Sequence, residues 1–244
     1  MPAISTEGLL GESANQPGVS HSSERERLKE ANRTARAAGA IAWTAVPPQA
    51  PLPDTASIYN RFMPEPTPDV LTRAKRIRLL LMDIDGTMSG GVCLIALPND
   101  GGVAEMKIFD PQDGLGLKLA HTMGIRTGFI TGRKSPAVAQ RARECEVDYV
   151  YLGQAKKTHA YEECLQKAGV TDEETAYLGD DLPDMPLSRR AGLAIAVANA
   201  APELKAISHY VTERRGGEGA AREVIELILK AQGRWEAAIP LALA

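Results

Sequence analysis

From Arg76 onward, short apolar runs alternate with amphipathic segments, and this pattern limits the possible folds more than any other feature of the chain. Such alternation is typical of repeated β-α units, in which helices cover the faces of a mostly parallel sheet. The predicted strands are 77–82, 126–130, 149–152, 175–178, 193–197 and 210–211. The predicted helices are 115–123, 136–145, 157–168, 185–191, 202–206 and 220–232.

A turn sequence interrupts this pattern directly after the first predicted strand. Residues 92–97 and 103–109 flank the segment Pro-Asn-Asp-Gly-Gly at 98–102, which indicates a β-hairpin. We expect this hairpin to overhang the carboxyl end of the first strand as a flap.

The two ends of the chain differ in composition from the alternating region. Residues 1–74 mix Gly, Ser, Pro and charge in irregular order, which predicts a disordered N-terminal extension. Within it, residues 23–45 are equally compatible with a transient helix, although their apolar stripe is thin. We therefore predict one folded domain over 75–235 and a short tail over 236–244.

Composition excludes several classes of function. A net charge of −3 and 5% aromatic residues provide no basic or base-stacking surface for nucleic acid. No run approaches the ~20 apolar residues of a membrane span. The three cysteines, Cys93, Cys145 and Cys164, are widely spaced and predict neither a disulfide framework nor a zinc site. We expect a cytoplasmic protein without a nucleic-acid or membrane partner.

Polar motifs follow the apolar runs where the predicted strands end. Since the carboxyl ends of parallel strands meet at one edge of the sheet, these motifs should lie together. In chain order they are Asp83-Ile-Asp-Gly-Thr87, Thr131-Gly-Arg133, Lys157 after the third strand of the sheet, and Gly179-Asp-Asp-Leu-Pro-Asp184.

The carboxylates of these motifs need a cation. Two carboxylates in contact repel by about 4 kcal/mol at an effective dielectric constant near 20, and Mg²⁺ is the ion that suits a few carboxylate ligands together with a phosphate. A carboxylate can also act as a nucleophile toward phosphorus, as Asp83 would. Asp85 would then serve as general acid and base, while Thr131 and Lys157 bind the phosphoryl group and Gly86 lets the backbone turn around it.

The order of these four motifs resembles the haloacid dehalogenase superfamily. The resemblance implies a Rossmann-like core with helices on both faces, and an aspartyl-phosphate formed on Asp83. It also implies a magnesium ion held by the Asp83 carboxylate, the Asp85 backbone carbonyl and Asp180. Asp181 would approach the metal directly or through water. Asp184 would either organise the loop or hold Lys157.

Four further segments, 107–116, 130–134, 153–157 and 216–223, resemble the 3-deoxy-D-manno-octulosonate 8-phosphate phosphatases within that superfamily. This resemblance implies a capless homotetramer that hydrolyses the sugar phosphate in lipopolysaccharide biosynthesis. Asp85, Gly86, Gly132 and Arg133 would contact the substrate, with Arg133 facing its carboxylate. Asp113 would lie at the mouth of the site or cap the helix that follows it.

Two alternative functions remain open at this point. A phosphatase of nine-carbon nonulosonate 9-phosphates would share the motifs, although related enzymes with that substrate tend to carry Glu at the position of Arg133. A catalytically silent oligomeric partner would keep the fold without turnover, but the intact set of motif residues argues against it.

Overall fold

The structure, a computed structural model, describes residues 66–91, 94–96 and 104–242. The predicted N-terminal extension up to residue 65, the helix at 23–45 and the hairpin turn at 98–102 lie outside these residues. The strands are β1 Leu79–Met82, β2 Leu94–Ala96, β3 Ala104–Met106, β4 Arg126–Ile130, β5 Tyr149–Tyr151, β6 Thr175–Gly179, β7 Leu193–Ala196 and β8 Tyr210–Val211. The α-helices are α1 Pro68–Ala74, α2 Pro111–Thr122, α3 Pro136–Glu144, α4 Thr158–Ala168, α5 Met185–Ser188, α6 Pro202–Ile207, α7 Ala220–Ala231 and α8 Trp235–Ala238. Short 3-10 turns occur at Asp172–Glu174, Leu182–Asp184 and Ile239–Ala242.

Six of these strands form one parallel sheet in the order β5-β4-β1-β6-β7-β8. β1 lies in the middle, so the chain crosses to one side for β4 and β5 and to the other for β6 to β8. The carboxyl ends of β1, β4 and β6 are therefore adjacent at the point where the strand order reverses, which is where open α/β sheets bind ligands. The predicted α/β class and parallel sheet are confirmed.

The alternating side chains of β1 supply two separate cores, one on each face of the sheet. Leu79 and Leu81 pack in a cluster with Tyr161 of α4, whereas Leu80 and Met82 pack in a cluster that includes buried residues of α1, α2 and α7. Because every β1 side chain is buried, the strand is apolar throughout rather than alternating.

β2 and β3, which follow β1 and precede α2 along the chain, form a second, two-stranded antiparallel sheet. Its register joins Leu94 to Met106 and Ile95 to Glu105. β3 ends at Met106, before the predicted residue 109, whereas residues 92–93, 97 and 103 lie outside the described residues. The predicted flap position over β1 stays a prediction.

Helix α2 begins earlier than predicted, at Pro111 instead of Leu115. Asp110 caps it by accepting a hydrogen bond from the backbone N–H of Gln112, and proline is favourable in the first turn. Gly114 and Gly116 lower helix propensity, but here they admit neighbouring side chains. A Cβ at Gly114 would lie 2.5 Å from Arg141 Nη2, and one at Gly116 would lie 3.1 Å from Arg222 Cδ.

Described helices lie beyond both predicted domain limits, 75 and 235, although the limits themselves stay predictions. Helix α1 precedes residue 75, begins after the Thr67 cap, and packs with α7 through its buried Val70 and Ala74. At the other end, α8 buries Ala238 and the 3-10 turn continues to Ala242. The Pro-rich composition before residue 68 concealed the first of these helices. Among helices of the described residues, none is long and apolar enough to cross a bilayer.

Candidate active site

A pocket of about 360 Å³ lies at the carboxyl ends of β1, β4 and β6. Eight of the predicted site residues line it together with four others. The predicted residues are Asp83, Asp85, Thr131, Gly132, Arg133, Lys157, Asp180 and Asp181, and the others are Gln154, Ala155, Pro183 and Asp184. Motifs separated by about 100 positions in sequence therefore share one site, as the strand-end argument predicts.

Lys157 joins two buried carboxylates at the floor of this pocket. Its Nζ donates to Asp83 Oδ1 at 2.5 Å and to Asp184 Oδ1 at 2.7 Å, and its side chain is only 6% exposed. Burial alone would lower the pKa of Lys157, but the charges of Asp83 and Asp184 outweigh it and raise that pKa. Lys157 is therefore charged at neutral pH and ready to face an anion.

Asp184 organises the loop that follows β6. Its Oδ1 accepts from Lys157 and, at 2.7 Å, from the buried hydroxyl of Tyr177. Its Oδ2 accepts from the backbone N–H groups of Asp180, at 2.9 Å, and Asp181, at 3.3 Å. With four donors on its two oxygens, Asp184 is fitted to hold Lys157 and the loop rather than to bind a metal.

Asp83 and Asp180 are the carboxylates best suited to a divalent cation. Oxygen atoms of Asp83, Asp180 and Asp184 all lie within 4.8 Å of one another. Burial raises the pKa of both Asp83 and Asp180, and neighbouring carboxylates add to the rise, although the charge of Lys157 lowers the pKa of Asp83 in part. Neighbouring carboxylates repel one another, and a bound cation would reduce this repulsion. Because all the donor atoms are oxygens, the site suits Mg²⁺.

Two further residues lie beside this candidate metal site. Thr87 donates its hydroxyl to Asp180 Oδ1 at 3.2 Å, which orients that carboxylate. Asp181, predicted as a further ligand, is exposed and outside the three-carboxylate group, and its Oδ1 accepts from the N–H of Leu182. A direct role of Asp181 in metal binding stays a prediction.

Asp85 lies two residues after Asp83 and also lines the pocket. Its side chain is 25% exposed. Its Oδ1 accepts from Lys107, which follows β3, and Arg133 Nε lies 3.9 Å from its Oδ2. The side chain of Arg133 is half exposed at the rim. The candidate acid-base group is thus bordered by two cationic side chains.

Thr131 directly follows β4, and its buried side chain lines the pocket. Its Oγ1 accepts a long bond from the N–H of Arg133 at 3.4 Å, so the hydroxyl proton can be donated to a bound oxyanion. The cap of α3 is Ser135, whose hydroxyl oxygen accepts from the N–H of Val138. Thr131 is therefore available to the site instead of serving as a helix cap.

The loop after β1 is supported by the segment before α7. Gly86 has φ of 98°, and a Cβ there would lie 2.0 Å from Asp180 Oδ2. A Cβ at Gly216 would lie 1.7 Å from the Gly86 carbonyl oxygen. Asn199 joins both glycines, since its Nδ2 donates to the Gly86 carbonyl at 3.3 Å and its Oδ1 accepts from Gly216 N–H at 2.7 Å.

Asp113 does not cap α2, which corrects one of its two predicted roles, and it lies outside the pocket lining, so its contact with the substrate stays a prediction. It is fully buried in the first turn of α2, and its Oδ1 accepts from the N–H of Arg222 at 2.8 Å. It thus supplies the side-chain cap that Gly219 cannot provide to α7. Burial raises the pKa of Asp113 to about 6.

Four residues with evident structural roles at the site are missing from the sequence prediction: Thr87, Lys107, Tyr177 and Asn199. Thr87 belongs to the first motif, and Lys107 opens one of the segments that carry the family resemblance, so both had a signal in the sequence. Tyr177 is a hydroxyl within an apolar run, which is a weak signal. Asn199 follows β7 at the same edge of the sheet, where strand-end reasoning could have found it.

Comparisons with known proteins agree with this geometry. A model of haloacid dehalogenase-like hydrolases matches residues 147–224. The 3-deoxy-D-manno-octulosonate 8-phosphate phosphatase of Salmonella typhimurium is 42% identical over 172 residues, which cover 70% of this chain and 89% of that protein.

Solved structures give the same result. The 3-deoxy-D-manno-octulosonate 8-phosphate phosphatase of Yersinia pestis is 44% identical with a TM-score of 0.65, and the match covers 69% of this chain and 89% of that one. The Moraxella catarrhalis enzyme of the same name, in complex with magnesium, phosphate and a KDO molecule, is 42% identical with a TM-score of 0.66, covering 71% and 97%. The chain therefore belongs to the 3-deoxy-D-manno-octulosonate 8-phosphate phosphatase family of haloacid dehalogenase-like hydrolases.

Proposed function

We propose that this protein is a magnesium-dependent phosphatase that hydrolyses 3-deoxy-D-manno-octulosonate 8-phosphate to the free sugar acid and phosphate. The observation that carries the proposal is the buried contact of Asp83 with Lys157 beside Asp180, at the carboxyl end of β1. This contact gives a nucleophile, a cation for the phosphoryl group and a metal ligand in one pocket. The named relatives supply the choice of substrate.

In the proposed reaction, an Asp83 carboxylate oxygen attacks phosphorus and the bond from phosphorus to the sugar oxygen breaks. Asp85 donates a proton to that departing oxygen, which leaves as an alcohol. The Asp83 acyl phosphate is then hydrolysed by a water from which Asp85 takes a proton, and this step restores both carboxyl groups. Asp85 would act once as an acid and once as a base. Both steps take place at Asp83, which explains why Asp85 lies beside it.

Thr131 and Lys157 bind the phosphoryl oxygens during both steps. Lys157 is already charged and buried, so it meets the anion without reorganising solvent. Asp184, which also accepts a hydrogen bond from the Tyr177 hydroxyl, holds Lys157 in place. The residues proposed to hold magnesium are Asp83 and Asp180, with the Asp85 carbonyl as a third ligand. When bound, the ion neutralises charge on the transferring phosphoryl group.

Arg133 is the proposed partner of the substrate carboxylate. Its guanidinium is half exposed at the rim, and its planar donors suit bidentate binding of a carboxylate. A sugar acid whose phosphate lies at Asp83 would present its far end toward this rim. Gly132 lies beside it in the lining, where its small size leaves space for the sugar.

A panel of sugar phosphates tests the function. With magnesium present, we expect the octulosonate 8-phosphate to give the highest kcat/KM for phosphate release, and EDTA to abolish turnover. The panel should include a nonulosonate 9-phosphate and sugar phosphates that lack a carboxylate. A preference for the nine-carbon acid would replace the substrate assignment and leave the reaction intact. Absence of phosphate release from every member would overturn the phosphatase itself and favour a silent partner.

We also propose a homotetramer in which the β2-β3 pair takes part. Met106 and Ile108 expose 61% and 71% of their surface on and just after β3, which is a high exposure for neighbouring apolar side chains. Analytical ultracentrifugation should give about four times the 26.1 kDa chain mass. Met106→Glu combined with Ile108→Lys should lower that mass, and a monomeric wild type would contradict the proposal.

A further inference from the structure

We propose that Lys107 is a positioning residue that orients Asp85 for proton transfer and thereby connects the β2-β3 pair to the reaction. The inference rests on the proposed function, in which Asp85 is the general acid and base. It adds a residue outside the strand-end motifs and outside the pocket lining. The observation behind it is a charged side chain from the hairpin that is completely enclosed against the acid-base group.

Burial makes this contact different from a surface ion pair. The side chain of Lys107 is 0% exposed, whereas Asp85 is 25% exposed. Lys107 Nζ donates to Asp85 Oδ1 and lies 3.6 Å from Glu105 Oε1. Removing an ammonium from water is unfavourable, so the burial of Lys107 is tolerated only where carboxylates such as these two surround it.

Lys107 is in turn fixed from the side of α3. The hydroxyl of Ser135 donates to Glu105 Oε2, and the same oxygen of Ser135 accepts from the N–H of Val138 in the first turn of α3. The chain of contacts runs from the cap of α3 through Glu105 and Lys107 to Asp85. A rigid helix therefore sets the position of Lys107.

The bond to Lys107 occupies one of the two oxygens of Asp85. With Oδ1 held there, Oδ2 lies on the side of Arg133, which is also in the pocket lining. An oxygen that is fixed in this direction needs no rotamer search before it transfers a proton. Because such orientation acts in the transition state, its loss should lower kcat and kcat/KM together while KM stays nearly constant.

A double-mutant cycle of Lys107→Met and Asp85→Asn tests the inference by phosphate release from the octulosonate 8-phosphate. Asp85→Asn should cost about 10²- to 10⁴-fold in kcat/KM, the usual contribution of general acid-base catalysis. Lys107→Met should cost about 10- to 100-fold, within that same contribution. If Lys107 acts through Asp85, the double variant should match Asp85→Asn within about twofold. If the loss in kcat/KM of the double variant instead equals the product of the two single losses, the inference is overturned.

A second substrate separates orientation from general damage. An aryl phosphate such as p-nitrophenyl phosphate has a leaving group that needs little protonation, so Lys107→Met should lower its kcat/KM less than about fivefold, well under the acid-base contribution. Equal losses on both substrates, or a gain of activity, would contradict a positioning role. Lys118→Met, an exposed lysine on α2, is the matched control.

Glu105→Gln gives an independent variant should Lys107→Met fail to fold. It retains the Lys107–Asp85 pair but weakens the anchor of Lys107, so we expect a loss of about 3- to 10-fold, a fraction of the acid-base contribution. That loss should vanish in the Asp85→Asn background, and its persistence there would overturn the inference. If the wild type releases no phosphate, the proposed function is wrong. If the wild type is active but the effects of Lys107→Met and Asp85→Asn are independent of each other, only the proposed role of Lys107 is wrong.

Discussion

Asp83→Asn is expected to lower kcat for phosphate release by at least about 10⁴-fold, because the amide keeps the size of the side chain but cannot form the acyl phosphate. Single-turnover assays with magnesium and excess enzyme would measure the residual rate and detect any phosphoenzyme. The loss should not come from unfolding. Burial raises the pKa of Asp83, so its ionised form costs folding free energy, and the variant in EDTA should melt at or above the wild-type Tm.

Asp69→Asn serves as the matched control for this substitution. Asp69 is an exposed carboxylate on α1, and in the described part of the chain its ion-pair partner is Arg73. Its replacement should leave kcat unchanged. Turnover by Asp83→Asn within about tenfold of wild type would exclude Asp83 as the nucleophile, since a covalent route cannot tolerate its removal.

Lys157→Met should produce the largest loss of stability at the site, about 3–5 kcal/mol in the free energy of unfolding. The substitution leaves Asp83 and Asp184 buried without the cation that both contact at 2.5 and 2.7 Å. Urea denaturation in EDTA would measure this loss. Added magnesium should recover part of it, because a bound cation stabilises the folded state. Activity should be lost together with phosphate binding.

Lys156→Met is the control for that experiment, since Lys156 is the neighbouring residue and is exposed. Surface substitutions of this kind usually change stability by less than about 0.5 kcal/mol. If the two variants unfold with the same free energy, the ion pairs of Lys157 contribute nothing and the charge balance proposed for the floor of the pocket is wrong.

The strand-end motifs were predictable because a parallel sheet converts chain order into position. Once β1, β4 and β6 are recognised as apolar runs of a parallel sheet, the residues that follow them are expected at one edge of that sheet. The positions of Asp83, Thr131 and Asp180 at this edge therefore follow from the sequence alone. The roles of their side chains in catalysis stay predictions until the variants are measured.

Residues whose partners come from irregular segments were less predictable. Asp113 fits the pattern of a residue that opens a helix, yet it caps α7 instead, and this follows only from the packing of α2 on α7. Lys107 lies beyond a hairpin whose direction relative to the sheet is not fixed by strand order. Local sequence sets the existence of such elements, whereas tertiary packing sets their contacts.

The contact of Gly216 with Gly86 joins two segments that the ribosome synthesises far apart in time. Asp83, the proposed nucleophile, is synthesised early, but the backbone that supports its loop follows about 130 residues later. A chain that stops before residue 216 lacks both that support and α7, whose buried face completes one core. A chain that stops before residue 216 should therefore lack phosphatase activity even though it contains Asp83.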